Sequence, residues 1–320
     1  MGTAGLDVDL EQHRRELTAH CYRMLGSAFE AEDAVQETMV RAWRGLDTFE
    51  GRSSVRSWLY RIATNICLDM AGAVQRRARP MDLTSPGTPQ SAVDAGLPEA
   101  TWVGPAPDGM LLSADPAEAA VARESVRLAF IAALQRLPAR QRAVLILRDV
   151  LTWSAAETAQ LLELSVPAAN SALQRARATL ASAGVRAEPE PAALEPAEQR
   201  LLDQYLDAFE RFDIAALTGL LHEDAVLNMP PLQLWLRGAE NLRGWWSGTG
   251  GVCRGSRLLP VRVNGGLGFA QYHDGGAKPW SIQVLETSSG RIEAITYFLD
   301  TPRLFPLFGV APTFAENAAG

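Results

Sequence analysis

The stretch LQRLPARQRAVLILRDVLTWSAAETAQLLELSVPAANSALQRARATL, residues 134–180, decides how the chain is read. Pro138 opens the helix ARQRAVLILRDVL, and Ser154 with Glu157 has the S-x-x-E spacing of a capping box before AAETAQLLEL. Ser165 then caps VPAANSALQRARATL after a short turn. Two short helices joined so closely predict a helix-turn-helix. The later helix carries Asn170, Ser171, Gln174, Arg175 and Arg177, and no acidic residue falls between Ser165 and Ala187. Amide and hydroxyl groups on such a face can read base edges in a major groove, while arginines take guanines or phosphates. Taken alone, an ordinary helical hairpin fits the same residues equally well.

Working outward, Asp115-Pro116 supplies an N-cap and an N1 proline to a preceding helix with Val126, Phe130, Ala133, Leu134 and Leu137 on its apolar stripe. Residues 80–117 hold seven prolines, four glycines and five acids with no basic group, and they show no sustained period. That composition predicts an extended, largely unstructured acidic connector. Before it, Leu17, Cys21, Met24 and Leu25 recur at helical spacing, as do Val35, Met39, Ala42, Trp43 and Leu46, and Val55, Leu59, Ile62 and Ile66. These predict a bundle of amphipathic helices. The second displays Asp33, Gln36, Glu37, Arg41 and Arg44; the third displays Arg56, Arg61 and Asn65 and ends in the basic run Arg76, Arg77, Arg79. Residue by residue, a solvated helix surface explains these groups as well as a binding face does.

The 320 residues are 47% apolar and carry a net charge of -7, material for two or three domains. The charge is unevenly spread: residues 1–79 balance, 80–117 stand at -5, 118–183 at +3 and 184–320 at -5. An acidic total argues against nonspecific coating of nucleic acid, whereas a local positive balance is compatible with a DNA reader. No run of about 18 apolar residues is present. The start MGTAGLDVDLEQHRREL has neither a basic n-region nor an apolar h-region, so the expectation is a cytoplasmic chain that does not engage a membrane. Cys21, Cys67 and Cys253 are far apart and read as reduced core thiols, and no His or Cys spacing suggests a metal site. No cofactor is expected.

DAVQETMVRAWRGLDTFEGRSSVRSWLYRIATNICLDMAGAVQRR resembles region 2 of the extracytoplasmic-function (ECF) sigma factors of the sigma-70 family, and the stretch quoted first resembles their region 4. Two blocks in the right order are far more specific than either alone. The resemblance implies a subunit that binds core RNA polymerase and directs transcription initiation at promoter DNA. It places core polymerase binding on Asp33, Gln36, Glu37 and Arg41. Opening of the -10 element falls to Arg52, Ser53, Ser54, Arg56, Trp58, Arg61 and Asn65. Such opening holds an extruded base by its edge, with aromatic and arginine groups stacking. Trp58 lies beside the apolar stripe, and core packing fits it better than base stacking. Readout of -35 falls to Ser165, Asn170, Ser171, Gln174, Arg175 and Arg177. Asn170 and Ala172 stand where the family usually has basic residues, which leaves room for weak contacts or for readout of DNA shape. PEATWVGPAPD resembles the tryptophan-proline linker of sigma factors with an extra C-terminal domain, so Trp102 is expected to dock on something.

A second breakpoint at residues 184–196 introduces the last segment. A helix is expected over 197–222, with Leu201, Leu202, Tyr205, Leu206 and Phe209 apolar. Strand runs follow near 252–263, 267–274, 280–288 and 291–299, punctuated by NGG, DGG and SSG. This α+β order resembles the SnoaL-like cone, a curved antiparallel sheet around a long helix. The fold class is therefore multidomain: two all-α domains, sigma region 2 (1–79) and region 4 (118–183), then a regulatory cone over 197–320. The cone is expected to contact the sigma regions within the chain and to modulate them. Asn228, Met229, Trp235, Trp246 and Tyr272 are its candidate pocket. The alternative is a bifunctional protein whose cone is a small-molecule isomerase or cyclase, with His222, Asp224, His273, Asp274 or Asp300 as base and Tyr272 or Trp235 as donor. Structural roles fit those groups better, so no catalytic residue is assigned and the chain is not expected to be an enzyme.

Overall fold

The computed structural model describes residues 9–51, 53–73, 77–93, 96–182 and 196–318. Helix α1 (Arg14–Leu25) stops at Gly26, whose φ of 72° lets its N–H reach the Tyr22 carbonyl. Ser27 then caps α2 (Ala28–Gly45) by accepting from the Glu30 amide, and Ser54 caps α3 (Val55–Ala73) through the Ser57 amide at 3.1 Å. Helix α2 buries Ala31, Ala34, Val35, Thr38, Met39 and Ala42. Trp43 departs from the expected stripe and is 73% exposed. Ala42 takes the inward position, and the next residue is turned by about 100°.

The connector is more ordered than its composition predicted. It contains the short helices α4 (Pro80–Leu83) and α5 (Asp108–Leu111), and it buries Trp102, Val103, Ala106, Leu111 and Leu112. Ala78 and Trp102 form a parallel bridge, and the Gly104 N–H donates to the Gly26 carbonyl at 2.9 Å. Scattered apolar residues carry no period, yet each can fill a separate hollow in a neighbouring surface. Such burial is invisible to periodicity. Trp102 does dock, as its exposure in a connector would demand: it is buried, and its indole N–H donates to the Leu97 carbonyl.

The expected helix from Asp115 is split into α6 (Pro116–Arg123) and α7 (Leu128–Gln135). Ser125 sits in the break, donating to the Ala122 carbonyl and accepting from Arg23 at 2.7 Å. Helix α8 (Ala139–Leu145) runs into a π turn over Ile146–Val150, then α9 (Ala155–Leu161) and α10 (Val166–Ser182) complete the helical part. Arg142 of α8 is buried and donates to the carbonyls of Leu134, Gln135, Leu137 and, across to α1, Met24. The two helical segments consequently share one apolar core.

The helix expected over 197–222 ends early. It is α11 (Pro196–Glu210), followed by α12 (Ile214–Gly219), which Asp213 caps. His222, expected at the end of that helix, and Glu223 and Asp224 after it lie on β1 (Leu221–Asn228). Then come β2 (Trp235–Arg237), α13 (Ala239–Ser247), β3 (Arg257–Val263), β4 (Gly266–His273), β5 (Lys278–Ser288) and β6 (Arg291–Phe298). Helices α14 (Thr301–Leu307) and α15 (Phe314–Ala318) close the described chain. The six-stranded sheet has the order β2-β1-β6-β5-β4-β3. Four of its pairings are antiparallel, and β1 with β6 is parallel, so the sheet is mixed rather than the purely antiparallel one expected. Register shifts in β4–β5 and β5–β6 bend the sheet around α11.

Alternation along the strands separates two buried faces. One packs on α11 and α13 through Leu258, Phe269, Leu285, Ile295 and Tyr297. On the opposite face, Val263, Ala270, Ile282, Val284 and Phe298 belong to the same core cluster as the helical segments. All eight residues of β4 are buried.

Candidate nucleic-acid interface

Helix α10 is held by its inner face, where Ala169, Ala172, Leu173, Ala176 and Leu180 are buried. Glu163, at φ 55°, makes the tight turn from α9, and Ser165 Oγ accepts from the Ala168 amide at 3.3 Å. Asn170, Ser171, Gln174 and Arg175 are all exposed on the outer side. Arg177 is exposed as well but is already engaged. It makes two bonds to the Asp149 carboxylate, at 2.7 and 2.9 Å, and so ties α10 to the π turn.

On α2, Asp33, Gln36, Glu37 and Arg41 are exposed together, with Glu37 and Arg41 paired at 2.7 Å. Val40 and Trp43 are exposed on the same helix and make part of that surface apolar. Periodicity assigned Trp43 to the core, so it escaped notice as a surface group.

The -10 candidates are less free. Arg52 lies outside the described residues. Ser54 is engaged as the α3 cap, while Ser53 beside it is half-buried. Arg56 Nε donates to Glu16 at 2.7 Å, and its guanidinium lies 5.0 Å from the centre of the Tyr60 ring. Trp58 packs on Phe49, with ring centroids 4.9 Å apart, as the packing reading expected. Arg61 is half-buried, and Asn65 is exposed. The basic run after α3 forms no open face among the described residues. Arg76 lies outside them; Arg77 is buried against Glu30 at 2.7 Å and donates to the Trp102 carbonyl; Arg79 faces Glu286 at 3.8 Å.

Sequence reasoning missed the junction where the parts meet. Asn264, in the turn between β3 and β4, is 2% exposed and adopts φ 52°. Its Oδ1 accepts from the Ala106 amide at 3.1 Å. Its Nδ2 donates to Tyr22 Oη at 2.7 Å and to the Val126 carbonyl at 2.8 Å. The Gly265 amide donates to Asp108 at 2.7 Å, and a Cβ on Gly265 would stand 2.6 Å from the Arg123 carbonyl oxygen. One turn therefore touches α1, the connector and the start of the second helical segment. Burial pushes the Asp108 carboxyl up from its ordinary range, and the Gly265 N–H opposes that shift. The NGG triplet signalled a turn; nothing in it signalled what the turn would enter.

The five candidate pocket residues are not brought together. Trp246 packs in the inner core of the cone, whereas Tyr272 lies on the opposite face, donating to the Ala311 carbonyl and packing against Phe305 and Phe314. Asn228 is buried and donates to Thr296, Met229 is buried in the inner core, and Trp235 donates to the Thr84 carbonyl of the connector. A hydrogen-bonded chain occupies the cone interior: Tyr205 donates to Gln283, while Gln283 and Ser281 donate to Gln271, which donates to Ser256. Burial raises the Tyr205 phenol well above its ordinary pKa and keeps it a donor. The bases of the isomerase alternative lie elsewhere. Asp224 pairs with Arg237 and Asp274 with Lys278, both exposed; His273 stacks on Trp280; His222 sits at the start of β1; and Asp300 lies beside Arg303. Among the described residues no His/Cys/Asp/Glu group could hold a metal ion, and no helix is long and apolar enough to cross a membrane.

Comparison with known proteins agrees with this geometry. The Sigma-70 region 2 family matches residues 10–78, and the Sigma-70, region 4 family matches 127–180. The chain is 43% identical over 311 residues to the ECF RNA polymerase sigma factor SigG of Mycobacterium tuberculosis, covering 94% of this chain and 82% of that protein. It is 31% identical over 163 residues to the ECF RNA polymerase sigma factor SigW of Bacillus subtilis, covering 50% of this chain and 78% of that one. The crystal structure of the Mycobacterium tuberculosis ECF sigma factor SigJ superposes with a TM-score of 0.62 at 24% identity, over 94% of this chain and 98% of that one, a likeness of fold that extends through the C-terminal domain. With two sigma-70 regions in order and a 43% identical relative matched along 94% of this chain, the chain belongs to the ECF RNA polymerase sigma factors.

Proposed function

We propose that the chain acts in the cytoplasm by binding core RNA polymerase through the exposed face of α2 at Asp33, Gln36, Glu37 and Arg41. In the same reading, α3 and the loop before it open the -10 element, and the outer face of α10 reads -35 through Asn170, Ser171, Gln174 and Arg175. Residues 1–79 then serve as region 2, 118–183 as region 4, and 197–320 as a regulatory domain joined by 80–117 and 184–196. The regulatory domain holds the two sigma regions in a closed arrangement within the chain and is displaced when polymerase binds.

The observation that carries the closed arrangement is the entry of Asn264 between α1, the connector and the second helical segment. The ion pairs Arg79–Glu286 and Arg127–Glu198 add to it with the polarity that the acidic C-terminal excess suggests. The geometry supports an inhibitory role. Promoter elements named for positions roughly 25 base pairs apart are on the order of 80 Å apart along B-DNA. Tyr60 of α3 lies 5.5 Å, centroid to centroid, from Trp153 just before α9, so the two DNA-reading parts share one core. They must separate to engage both elements.

Run-off transcription with core polymerase tests this. Gly265→Arg places a side chain against the Arg123 carbonyl and should open the chain, raising transcription several-fold over wild type. Asn264→Ala, which only removes hydrogen bonds, should raise it less. Unchanged transcription from a folded Gly265→Arg chain that scattering shows to be extended would overturn inhibition by the C-terminal domain.

A further inference from the structure

A cavity of about 370 Å³ lies where α2, the connector and the C-terminal domain meet. Phe29 comes from α2, Trp102 and Val103 from the connector, and Pro231, Leu232 and Phe298 from the C-terminal domain. The cone interior is filled by its own hydrogen-bonded chain, so this space is separate from the pocket that the fold suggests. We propose that this junction cavity binds an uncharged, mostly apolar small molecule bearing one carbonyl or hydroxyl oxygen, and that the molecule stabilises the closed arrangement.

Three observations set the ligand chemistry. The size falls within the range of about 300–1,000 Å³ typical of small-molecule sites, and apolar side chains, aliphatic, aromatic and proline together, make up most of the wall. The charged groups at its edge already compensate one another: Arg303 lies 3.3 Å from Glu99 and 3.6 Å from Asp300, and Arg77 lies 3.7 Å from Glu99. A charged occupant would find no unbalanced partner there. Ser27 reaches the cavity and is only 2% exposed; its Oγ accepts from the Glu30 amide, while its own proton has no acceptor among the described residues. A carbonyl or hydroxyl oxygen on the ligand would take that proton, which costs free energy when left unpaired.

Linkage fixes the sign of the effect. Three separate parts of the chain supply the wall, so the cavity is complete only when they are docked. Any molecule that binds it favours the docked chain by an amount that grows with the logarithm of its concentration relative to its Kd. The inference rests on the closed arrangement proposed above and adds the signal that would hold it closed. Polymerase and the ligand then compete through a conformational equilibrium while touching different surfaces.

Prodan, 6-propionyl-2-(dimethylamino)naphthalene, is a suitable probe because it is uncharged and apolar, carries one carbonyl, and fluoresces according to its surroundings. Titrated into the full chain, it should bind saturably, one per chain, with a blue-shifted emission. Leu232→Trp and, separately, Ala28→Leu fill the cavity and should each weaken binding at least tenfold, while Ser27→Ala should weaken it several-fold and change the emission. Saturating Prodan should lower run-off transcription of wild type several-fold and leave Leu232→Trp unaffected. Absent or unsaturable binding to a wild-type chain that scattering shows to be compact overturns this inference and leaves the closed arrangement standing. Binding undiminished in both filled variants also overturns it. An extended wild-type chain in scattering overturns the closed arrangement and this inference together.

Discussion

Helices α10 and α3 are both assigned to promoter DNA, yet the structure treats them differently. On α10 the outer residues Asn170, Ser171, Gln174 and Arg175 are exposed, and only Arg177 is engaged. Around α3 three candidates already have partners, Arg56 with Glu16, Trp58 with Phe49 and Ser54 with the helix start, and Tyr60 on the same helix meets Trp153 across the junction. Under the proposed closed arrangement, the contrast sets a face that is already open against one that is partly tied. Separation of the parts would release Tyr60 from Trp153, whereas Arg56, Trp58 and Ser54 are held within the first helical segment itself.

The largest test of that contrast is Arg142→Met. Arg142 joins α8 to α1 through the Met24 carbonyl and satisfies three more carbonyls in its own segment. Breaking such a buried charged network should cost about 3–5 kcal/mol in denaturant unfolding. A loss under 1 kcal/mol would show that the two segments are not held through this side chain.

The pH dependence comes next. His20 is fully buried in α1, with Nε2 on Thr64 at 2.9 Å, and burial pushes its pKa down from 6.5 to about 3. Below pH 6.5 the unfolded chain takes up a proton that the folded chain refuses, so stability present above pH 6.5 is lost as the pH falls toward 3. Between pH 7 and 5 the loss from this residue should be about 2 kcal/mol. His20→Gln should flatten the profile in that window, and an unchanged slope would place the acid sensitivity elsewhere.

On the free side of the comparison, Gln174→Ala should weaken binding of a -35 duplex by about 1–2 kcal/mol, within the range of a good base contact, and leave unfolding unchanged. Equal weakening on scrambled duplexes would mean that Gln174 touches the backbone only. The smallest effect concerns the tied side. Glu16→Gln releases Arg56 and should cost at most about 1 kcal/mol of stability, since the pair is partly exposed. It should nevertheless tighten binding to a single-stranded -10 oligonucleotide by about threefold, roughly what freeing one such ion pair can supply. No gain would show that the Glu16 contact does not limit α3.

How much of this was legible depends on the range over which each signal acts. Capping at Ser154–Glu157 and Ser165, and the apolar stripes of α1 and α3, are local, and they appear in the structure as read. The order of helices before strands likewise gave the α+β class of the C-terminal part. Trp43 was misplaced because a residue at the edge of a stripe can turn either way. The connector was misjudged because Trp102, Val103 and Ala106 are buried one by one, by partners distant in sequence. Asn264 could be read only as a turn residue, since its partners Tyr22, Ala106 and Val126 come from other segments. The exposure of the α10 and α2 residues is legible because a polar helix face is a local pattern, whereas the junction is assembled from several segments.

The most direct test of the closed arrangement is a pulsed dipolar distance between spin labels at Asp69 on α3 and Ala178 on α10, both exposed, whereas Cys21, Cys67 and Cys253 are buried. In the free chain the account predicts a narrow distribution at the separation set by the shared core, lengthening when core polymerase and promoter DNA are added. A broad, long distribution in the free chain, or a distance unchanged in the complex, would contradict it.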